Sequence, residues 1–247
     1  MEEKNIITGE NINSHLKDIE EHSKIAVSVD CVIFGYDMEE LKVLTISCNM
    51  DPYKGLPSLI GDLVNEYEDL DQAAKRILKE RTGIDNLYLE QIKSFGKVDR
   101  HPLGRVITVT YFALVKKEDY TSNGTRPAVN SKWIALSQIN EMAFDHLNIT
   151  NVALDTLRKK LLECPIWMKL LPVDFSLPEL QHLFETIIGI PLDKRNFRKK
   201  ILSLDIIQES GKKQKDVPHR PANLYRVNQK KLKKEYSFLL KNPFHHG

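Results

Sequence analysis

The sequence predicts an α+β protein in which a mixed α/β sandwich precedes a C-terminal winged helix-turn-helix domain. Three observations predict this class. The first half alternates β-branched runs with an amphipathic helical stretch, as an α/β sandwich does. Prolines at positions 165 and 172 interrupt the helical pattern. Beyond them, two short helical patterns are followed by two strand-like runs, which is the order of a winged helix. We therefore expect a polar arm (1–23), a sandwich domain (24–162), a linker (163–174) and a winged helix-turn-helix domain (175–242).

The elements of the sandwich domain follow one another in a clear order. Residues 25–34 and 41–46 are β-branched runs on either side of a Gly-Tyr-Asp turn, which predicts a hairpin. Apolar residues at helical spacing predict a helix over 70–81, and Gly83 is placed to end it. The further elements expected are strands at 87–96, 106–115 and 133–136 and a helix at 154–162.

The second domain begins with a Ser-Leu-Pro-Glu run at 176–179, which is typical of a helix start. Apolar residues then recur at helical spacing until Gly189. Asp193 is expected to cap a second helix over 194–202. The buried side of that helix would comprise Phe197, Ile201 and Leu204. The wing would consist of a short strand at 205–208, a basic turn at 211–215 and a return strand at 222–227.

The net charge of +2 conceals an uneven distribution of charge. Residues 193–241 carry 15 Lys and Arg against 5 Asp and Glu, whereas the rest of the chain carries 21 against 29. This polarity predicts that the second domain binds a polyanion, and its helix-turn-helix pattern favours double-stranded DNA over a merely solvated basic tail. The residues expected to contact DNA are Lys194, Arg195, Asn196, Arg198 and Lys199 on the second helix and Lys212, Lys213 and Arg220 on the wing.

Composition excludes several other classes of protein. No apolar run approaches the ~18 residues of a membrane span, and the polar, acidic start is unlike a signal or transit peptide. Three widely spaced cysteines do not indicate a disulfide framework or a zinc finger, which favours a reducing cytoplasm. We expect no cofactor and no bound metal, since His146 has no second His or Cys at ligand spacing.

Residues 61–84 resemble a Nudix box, in which a glycine, a first glutamate and an Arg-Glu helix are regularly spaced. The positions that match this box are Glu68, Arg76, Leu78, Glu80, Gly83 and Ile84. The glycine of the box falls on Asp62, and two of the three glutamates of its second half are replaced by Ile77 and Arg81.

These replacements bear directly on catalysis. In a Nudix hydrolase the helix carboxylates hold Mg²⁺ ions that neutralise a diphosphate and activate water. Ile77, Glu80 and Arg81 together supply no net charge, and an arginine repels a divalent cation. We therefore expect no enzymatic activity, and we expect Glu68 and Glu80 to form ion pairs with Arg76 and Arg81.

A degenerate Nudix domain joined to a winged helix is similar to the NrtR/AraR-type Nudix-related transcriptional regulators of bacteria. The resemblance spans residues 25–227. Its most specific segments are Phe175–Gln181, Asp193–Lys200 and His219–Tyr225, supported by Val29–Gly35, Pro52–Gly55 and Phe144–His146 in the first domain. It implies a homodimer that binds a palindromic operator and a small effector that occupies the former catalytic pocket.

The resemblance leaves two effector classes open. They are ADP-ribose-type nucleotides and pentose sugars such as L-arabinose. The loss of metal-binding carboxylates favours the sugar, because a diphosphate is commonly held through Mg²⁺. The candidate effector-binding residues are Glu68, Glu80, Arg100, Arg105 and His146. The alternatives are an active Nudix hydrolase of a nucleoside diphosphate derivative with an accessory nucleic-acid-binding domain, and an RNA-binding or scaffolding protein.

Overall fold

The computed structural model describes residues 25–85, 87–120, 131–163, 165–215 and 221–231. The first part of the chain forms one seven-stranded mixed sheet. Its strands are Ala26–Tyr36 (β1), Leu41–Ser47 (β2), Pro57–Ser58 (β3), Ile60–Leu63 (β4), Glu90–Phe95 (β5), Val106–Lys116 (β6) and Ser131–Ala135 (β7). Two helices, Leu70–Thr82 (α1) and His146–Glu163 (α2), cover its faces. The predicted α/β/α sandwich is therefore confirmed.

Strand β1 lies at the centre of this sheet. It runs parallel to β6 over its whole length, from Ala26 opposite Val106 to Tyr36 opposite Lys116, and it is antiparallel to β2 and β4. Alternate side chains of β1 enter two different cores, one beneath α1 and one beneath α2. Because both faces are covered, almost every residue of β1 is buried, which explains why the strand is largely apolar.

Helix α1 confirms the prediction for residues 70–81, and Gly83 ends it with a left-handed φ of 73°. Helix α2 begins at His146, well before the predicted start at residue 154. Its first half is rich in Asn, Thr and β-branched residues, which are weak helix formers, but Ile149 and Ala153 are fully buried against the sheet. Tertiary packing thus overrides local propensity here.

The C-terminal part of the chain forms a winged helix with a three-stranded sheet in the order β8-β10-β9. Its elements are Phe175–Ser176 (β8), Leu177–Ile188 (α3), Lys194–Ser203 (α4), Ile207–Lys213 (β9) and Asn223–Val227 (β10). Ser176 and Glu179 form a capping box at the start of α3, as the Ser-Leu-Pro-Glu run predicts. The predicted helix-turn-helix and wing are therefore confirmed.

Two details of that domain differ from the prediction. Strand β9 extends to Lys213, so Lys212 and Lys213 lie on a strand rather than in the predicted turn at 211–215. Leu204 is 43% exposed and lies just beyond the end of α4. It does not belong to the buried side of that helix.

Helix α2 also contacts the winged helix directly. Arg158 Nε of α2 donates a hydrogen bond to the Ile187 carbonyl at the end of α3 (3.0 Å). A second hydrogen bond joins α3 to the sandwich, where His182 Nε2 donates to the Glu39 carbonyl in the turn between β1 and β2 (2.9 Å). Trp167, Leu170 and Leu171, within the segment 163–174 expected as a linker, are buried in a core shared with α2 and α3. Among the described residues, no helix is long and apolar enough to cross a membrane.

Candidate functional site

A cavity of 460 Å³ opens beside the central strand, between β4, the loop before β6 and the start of α2. This volume lies within the range of pockets that bind small molecules. Its charged and aromatic lining consists of Asp30, Asp62, Arg81, Arg100, His101, Arg105, Phe144 and His146. Three of the five predicted effector residues, Arg100, Arg105 and His146, therefore lie on one cavity.

The floor of the cavity is a buried ion cluster centred on Arg100. Its guanidinium, 3% exposed, contacts Asp145 through Nε (3.1 Å) and Nη2 (2.8 Å) and Asp30 through Nη2 (3.4 Å). A guanidinium matches a carboxylate with two parallel donors, so this geometry is well suited to a desolvated position. Two carboxylates therefore balance the charge of Arg100, and its side chain is a fixed part of the cavity wall.

His146 forms the wall next to this cluster. Its Nδ1 accepts a hydrogen bond from the Leu59 backbone N–H (3.0 Å) and lies 3.2 Å from Ser58 Oγ, so in the neutral ring the proton is on Nε2. Nε2 lies 3.6 Å from Asp30 Oδ1. Burial lowers the pKa of His146, and the carboxylates of Asp30 and Asp145 oppose that shift only in part. The ring is thus a neutral donor directed at Asp30.

Aromatic rings form the mouth of the cavity. Phe144 stacks on His101 with centroids 5.0 Å apart, and Tyr53 lies tilted against Phe144 with centroids 4.9 Å apart. Phe144 adopts a positive φ of 54°, a conformation rare for a bulky residue, which directs its ring to this position. Burial and the neighbouring Arg100 cation lower the pKa of His101. The mouth therefore offers planar surfaces on which a sugar or a base can stack.

Gly61 allows β4 to pass close to Asp30. A Cβ on Gly61 would fall on Asp30 Oδ1 and would lie 2.9 Å from the Val29 carbonyl oxygen. The next residue, Asp62, forms an ion pair with Arg81 of α1, and both side chains line the cavity. Two of the three positions at which the chain departs from the box, Asp62 in place of glycine and Arg81 in place of glutamate, therefore meet in the structure.

The remaining glutamates of the box form ion pairs with Arg76. Its Nε donates to Glu68 Oε2 (2.8 Å) and its Nη1 to Glu80 Oε2 (3.0 Å), which confirms the predicted pairing except that Arg81 pairs with Asp62. The Arg76 guanidinium lowers the pKa of Glu68 to about 2. Glu68 and Glu80 are not among the residues that line the cavity, although both were candidates for the effector site.

Arg105 lies at the edge of the cavity. Its Nη1 donates to the carbonyls of Gly96 (2.6 Å) and Lys97 (3.1 Å), which orient the side chain but leave its charge uncompensated. Among the described residues, Arg105 forms no ion pair with a carboxylate. It therefore differs from Arg100, whose charge is balanced within the protein.

Several residues of this site were not predicted from the sequence, above all Asp30 and Asp145. A signal for Asp30 was present, since a single acid interrupts the otherwise apolar run of β1. A charge at the centre of a buried strand is costly unless it is paired, and so it indicates a functional or ion-paired position. Asp145 and Phe144 precede α2 in a loop, and no local pattern indicates that Asp145 pairs with Arg100 or that Phe144 lines the cavity.

A second surface with functional features is the outer face of α4. Asp193 Oδ1 caps this helix by accepting a hydrogen bond from Asn196 N (2.7 Å). Ile201 is buried, and Phe197 packs edge-on against Phe184 with centroids 5.4 Å apart. The five helix residues predicted to contact DNA are all exposed; they are Lys194, Arg195, Asn196, Arg198 and Lys199.

The wing lies next to that helix. Tyr225 Oη on β10 donates a hydrogen bond to Glu209 on β9 (3.3 Å). Burial and this carboxylate raise the pKa of Tyr225, whereas the Arg198 cation of α4 lowers it. Lys212 Nζ forms an ion pair with Asp174 (2.6 Å) and Lys213 is exposed. Arg220, the third predicted wing contact, lies outside the described residues.

Two domain families match this chain in sequence. The Nudix domain family matches residues 24–152, and the family described as the NrtR DNA-binding winged helix domain matches residues 167–227. Both matches agree with the fold, since the first covers the sandwich and the second covers the helix-turn-helix and wing.

Individual relatives are similar over most of the chain. The ADPR-responsive transcriptional repressor NtrR of Acinetobacter baylyi is 34% identical over 224 residues, which are 89% of each protein. The crystal structure of Shewanella oneidensis NrtR complexed with a 27mer DNA has a TM-score of 0.66 and 32% identity, covering 83% of this chain and 95% of that one. The Nudix domain of the same protein complexed with ADP-ribose has a TM-score of 0.50 and 29% identity, covering 61% and 99%.

Proposed function

Because the chain belongs to the NrtR family of Nudix-related transcriptional regulators, we propose that it binds ADP-ribose in the cavity of its Nudix domain and thereby changes its affinity for an operator. DNA binding and transcription regulation are properties of the family.

One observation carries the proposal: a single helix connects the cavity to the winged helix. His146, the first residue of α2, lines the cavity, and Arg158 of the same helix donates to the Ile187 carbonyl of α3. The helix has 18 residues, about 27 Å at about 1.5 Å per residue. A ligand that favours one position of its first turn therefore also favours one position of the DNA-reading domain.

The chemistry of the cavity fits a nucleotide that carries a ribose. The Asp30 carboxylate can accept hydrogen bonds from sugar hydroxyls, and the Phe144 and His101 rings can stack on a planar base. Arg81 and Arg105 supply positive charge at the rim for a diphosphate. Relatives whose names mention ADP-ribose favour this class over the pentose that the loss of metal ligands suggested.

Thermal unfolding of the full chain distinguishes the two effectors. A ligand that binds only the folded state raises the melting temperature in a concentration-dependent manner. ADP-ribose should do so and L-arabinose should not. In a DNA-binding assay, saturating ADP-ribose should then change the operator Kd by about fivefold or more. A rise in melting temperature with L-arabinose alone would contradict this effector assignment.

We also propose how the winged helix contacts DNA. We place Lys194, Arg195, Asn196, Arg198 and Lys199 in the major groove and Lys212, Lys213 and Arg220 along the backbone, in a homodimer on a palindromic operator. Exposed basic residues on a helix with an apolar inner face support this placement. Footprinting upstream of neighbouring genes should reveal a symmetric protected site, and light scattering should give twice the mass of the 28.5 kDa chain.

We further propose that the chain does not hydrolyse its effector. The buried Ile77 and the Arg76 pairs with Glu68 and Glu80 leave no set of carboxylates suited to Mg²⁺ among the described residues. Incubation of the protein with ADP-ribose and Mg²⁺ should therefore release no AMP. Turnover in the range of ordinary enzymes, about one per second or faster, would contradict this conclusion.

A further inference from the structure

The Nudix fold implies Mg²⁺ at the box helix, but the residues of this chain do not fit that ion. Ile77 is fully buried in an apolar core, and its side chain has no oxygen atom that could bind a metal. Glu68 and Glu80 are bound to Arg76, and among the described residues no group of acids or histidines is arranged to hold a metal. A hard cation such as Mg²⁺ needs several oxygen ligands in near-octahedral geometry. The diphosphate of a nucleotide effector would therefore lack its usual counter-ion.

The side chain that replaces a box glutamate carries the charge that the missing ion would supply. Arg81 lines the cavity and its side chain is 47% exposed, so its guanidinium is accessible to a ligand. Its ion pair with Asp62 engages Nη2 only. A guanidinium has five N–H donors in a fork that matches phosphate oxygens, so the remaining donors can bind an anion while this contact persists.

The other arginines of the cavity have different roles. Arg100 is enclosed by Asp30 and Asp145 and its charge is already balanced. Arg105 is oriented by the Gly96 and Lys97 carbonyls and keeps its charge, so it can serve as a second cation at the rim. Arg81 and Arg105 are the two arginines of the lining that are not enclosed by acids.

We propose that Arg81, assisted by Arg105, replaces the divalent cation of Nudix hydrolases, so that this protein binds the diphosphate of its effector without a metal. This inference rests on the proposed function, since it concerns how ADP-ribose is held. Asp62 acts as the counter-ion that holds Arg81 against the cavity wall when the diphosphate is absent. It also opposes binding of the diphosphate, because its negative charge lies at the same wall.

The test is a calorimetric titration of the full chain with ADP-ribose, in EDTA and again in Mg²⁺. The wild-type protein should bind equally well in both. Arg81→Ala should weaken binding by about tenfold or more, since hydrogen bonds to charged groups are among the stronger polar contacts. Arg81→Lys should fall between the two, because it keeps the charge but loses the fork. Asp62→Asn should tighten binding, because it removes the competing carboxylate.

The matched control is Lys79→Ala. Lys79 is an exposed cation on the same helix that pairs with Asp85 and does not line the cavity, so its removal should leave affinity unchanged. Arg81 is a surface residue, and unchanged melting temperatures would show that the variants are folded. An affinity for ADP-ribose that falls less steeply with salt in Arg81→Ala than in wild type would support a direct charge contact.

The outcomes separate this inference from the function on which it rests. Binding by the wild type in Mg²⁺ but not in EDTA would overturn metal-free recognition and leave ADP-ribose as the effector. Equal affinities of wild type and Arg81→Ala in EDTA would overturn the role of Arg81. No binding under either condition would overturn the effector assignment and the inference together.

Discussion

Replacing Arg100 with methionine tests the buried ion cluster at the floor of the cavity. The substitution keeps most of the side-chain volume but removes three charged hydrogen bonds, two to Asp145 (3.1 and 2.8 Å) and one to Asp30 (3.4 Å). Removal of one member of a buried ion pair typically costs about 3–5 kcal/mol, because the partner charge remains desolvated. The side chain of Asp145 is 22% exposed and can be partly hydrated, whereas that of Asp30 is 7% exposed and cannot. We therefore expect the lower end of the range, about 3 kcal/mol.

The measurement is equilibrium unfolding in urea, followed by far-UV circular dichroism. Arg105→Met is the matched control, since its donors reach backbone carbonyls near the surface and its loss should cost about 1 kcal/mol or less. Adding Asp30→Asn to Arg100→Met should recover at least about 1 kcal/mol, because it removes the stranded charge. If Arg100→Met costs no more than the control, or if the second substitution brings no recovery, the cluster is not a set of desolvated, mutually dependent charges.

Three further predictions follow from particular contacts. Arg198→Ala should weaken operator binding by about 1–3 kcal/mol if this residue reads a base, and an unchanged Kd in a gel-shift assay at moderate salt would remove Arg198 from the interface. Burial lowers the pKa of His146 below 6.5, so at lower pH the unfolded chain takes up a proton that the folded chain does not. The free energy of unfolding should therefore fall as the pH drops below 6.5, by at most about 1.4 kcal/mol per pH unit from this group. In urea titrations at several pH values, His146→Asn should make that fall less steep. Gly61→Ala should lower the melting temperature, because the new methyl group would collide with Asp30 and the Val29 carbonyl, and a melting temperature equal to wild type would show that β4 can shift away.

Much of the fold could be predicted from the sequence because several signals agreed with one another. The largely apolar run of β1, the glycine that ends α1 and the capping box of α3 each have a local physical cause, and the structure confirms all three. The first half of α2 could not be predicted in this way. Its residues have low helix propensity, and the burial of Ile149 and Ala153 that stabilises it depends on strands far away in the sequence.

Site residues could be predicted only where the local sequence itself indicated a special role. Arg81 and Ile77 could be identified because they break a known spacing, and Arg100 and Arg105 because they lie in a polar loop before a strong strand. The partners of these residues come from distant segments. Asp30 and Asp62 lie on β1 and β4, which only the register of the sheet brings together, and Asp145 lies in the loop before α2.

The burial of Ile77 limits which substitutions this protein can accept at the box helix. A glutamate introduced at this position alone would place a carboxylate in an apolar core and cost several kcal/mol before any metal could bind. A change of Arg81 to glutamate alone would place two acids side by side, because Asp62 would lose its partner. Each of these single substitutions is therefore expected to cost free energy. The packing of one helix works against the introduction of metal-binding glutamates one at a time.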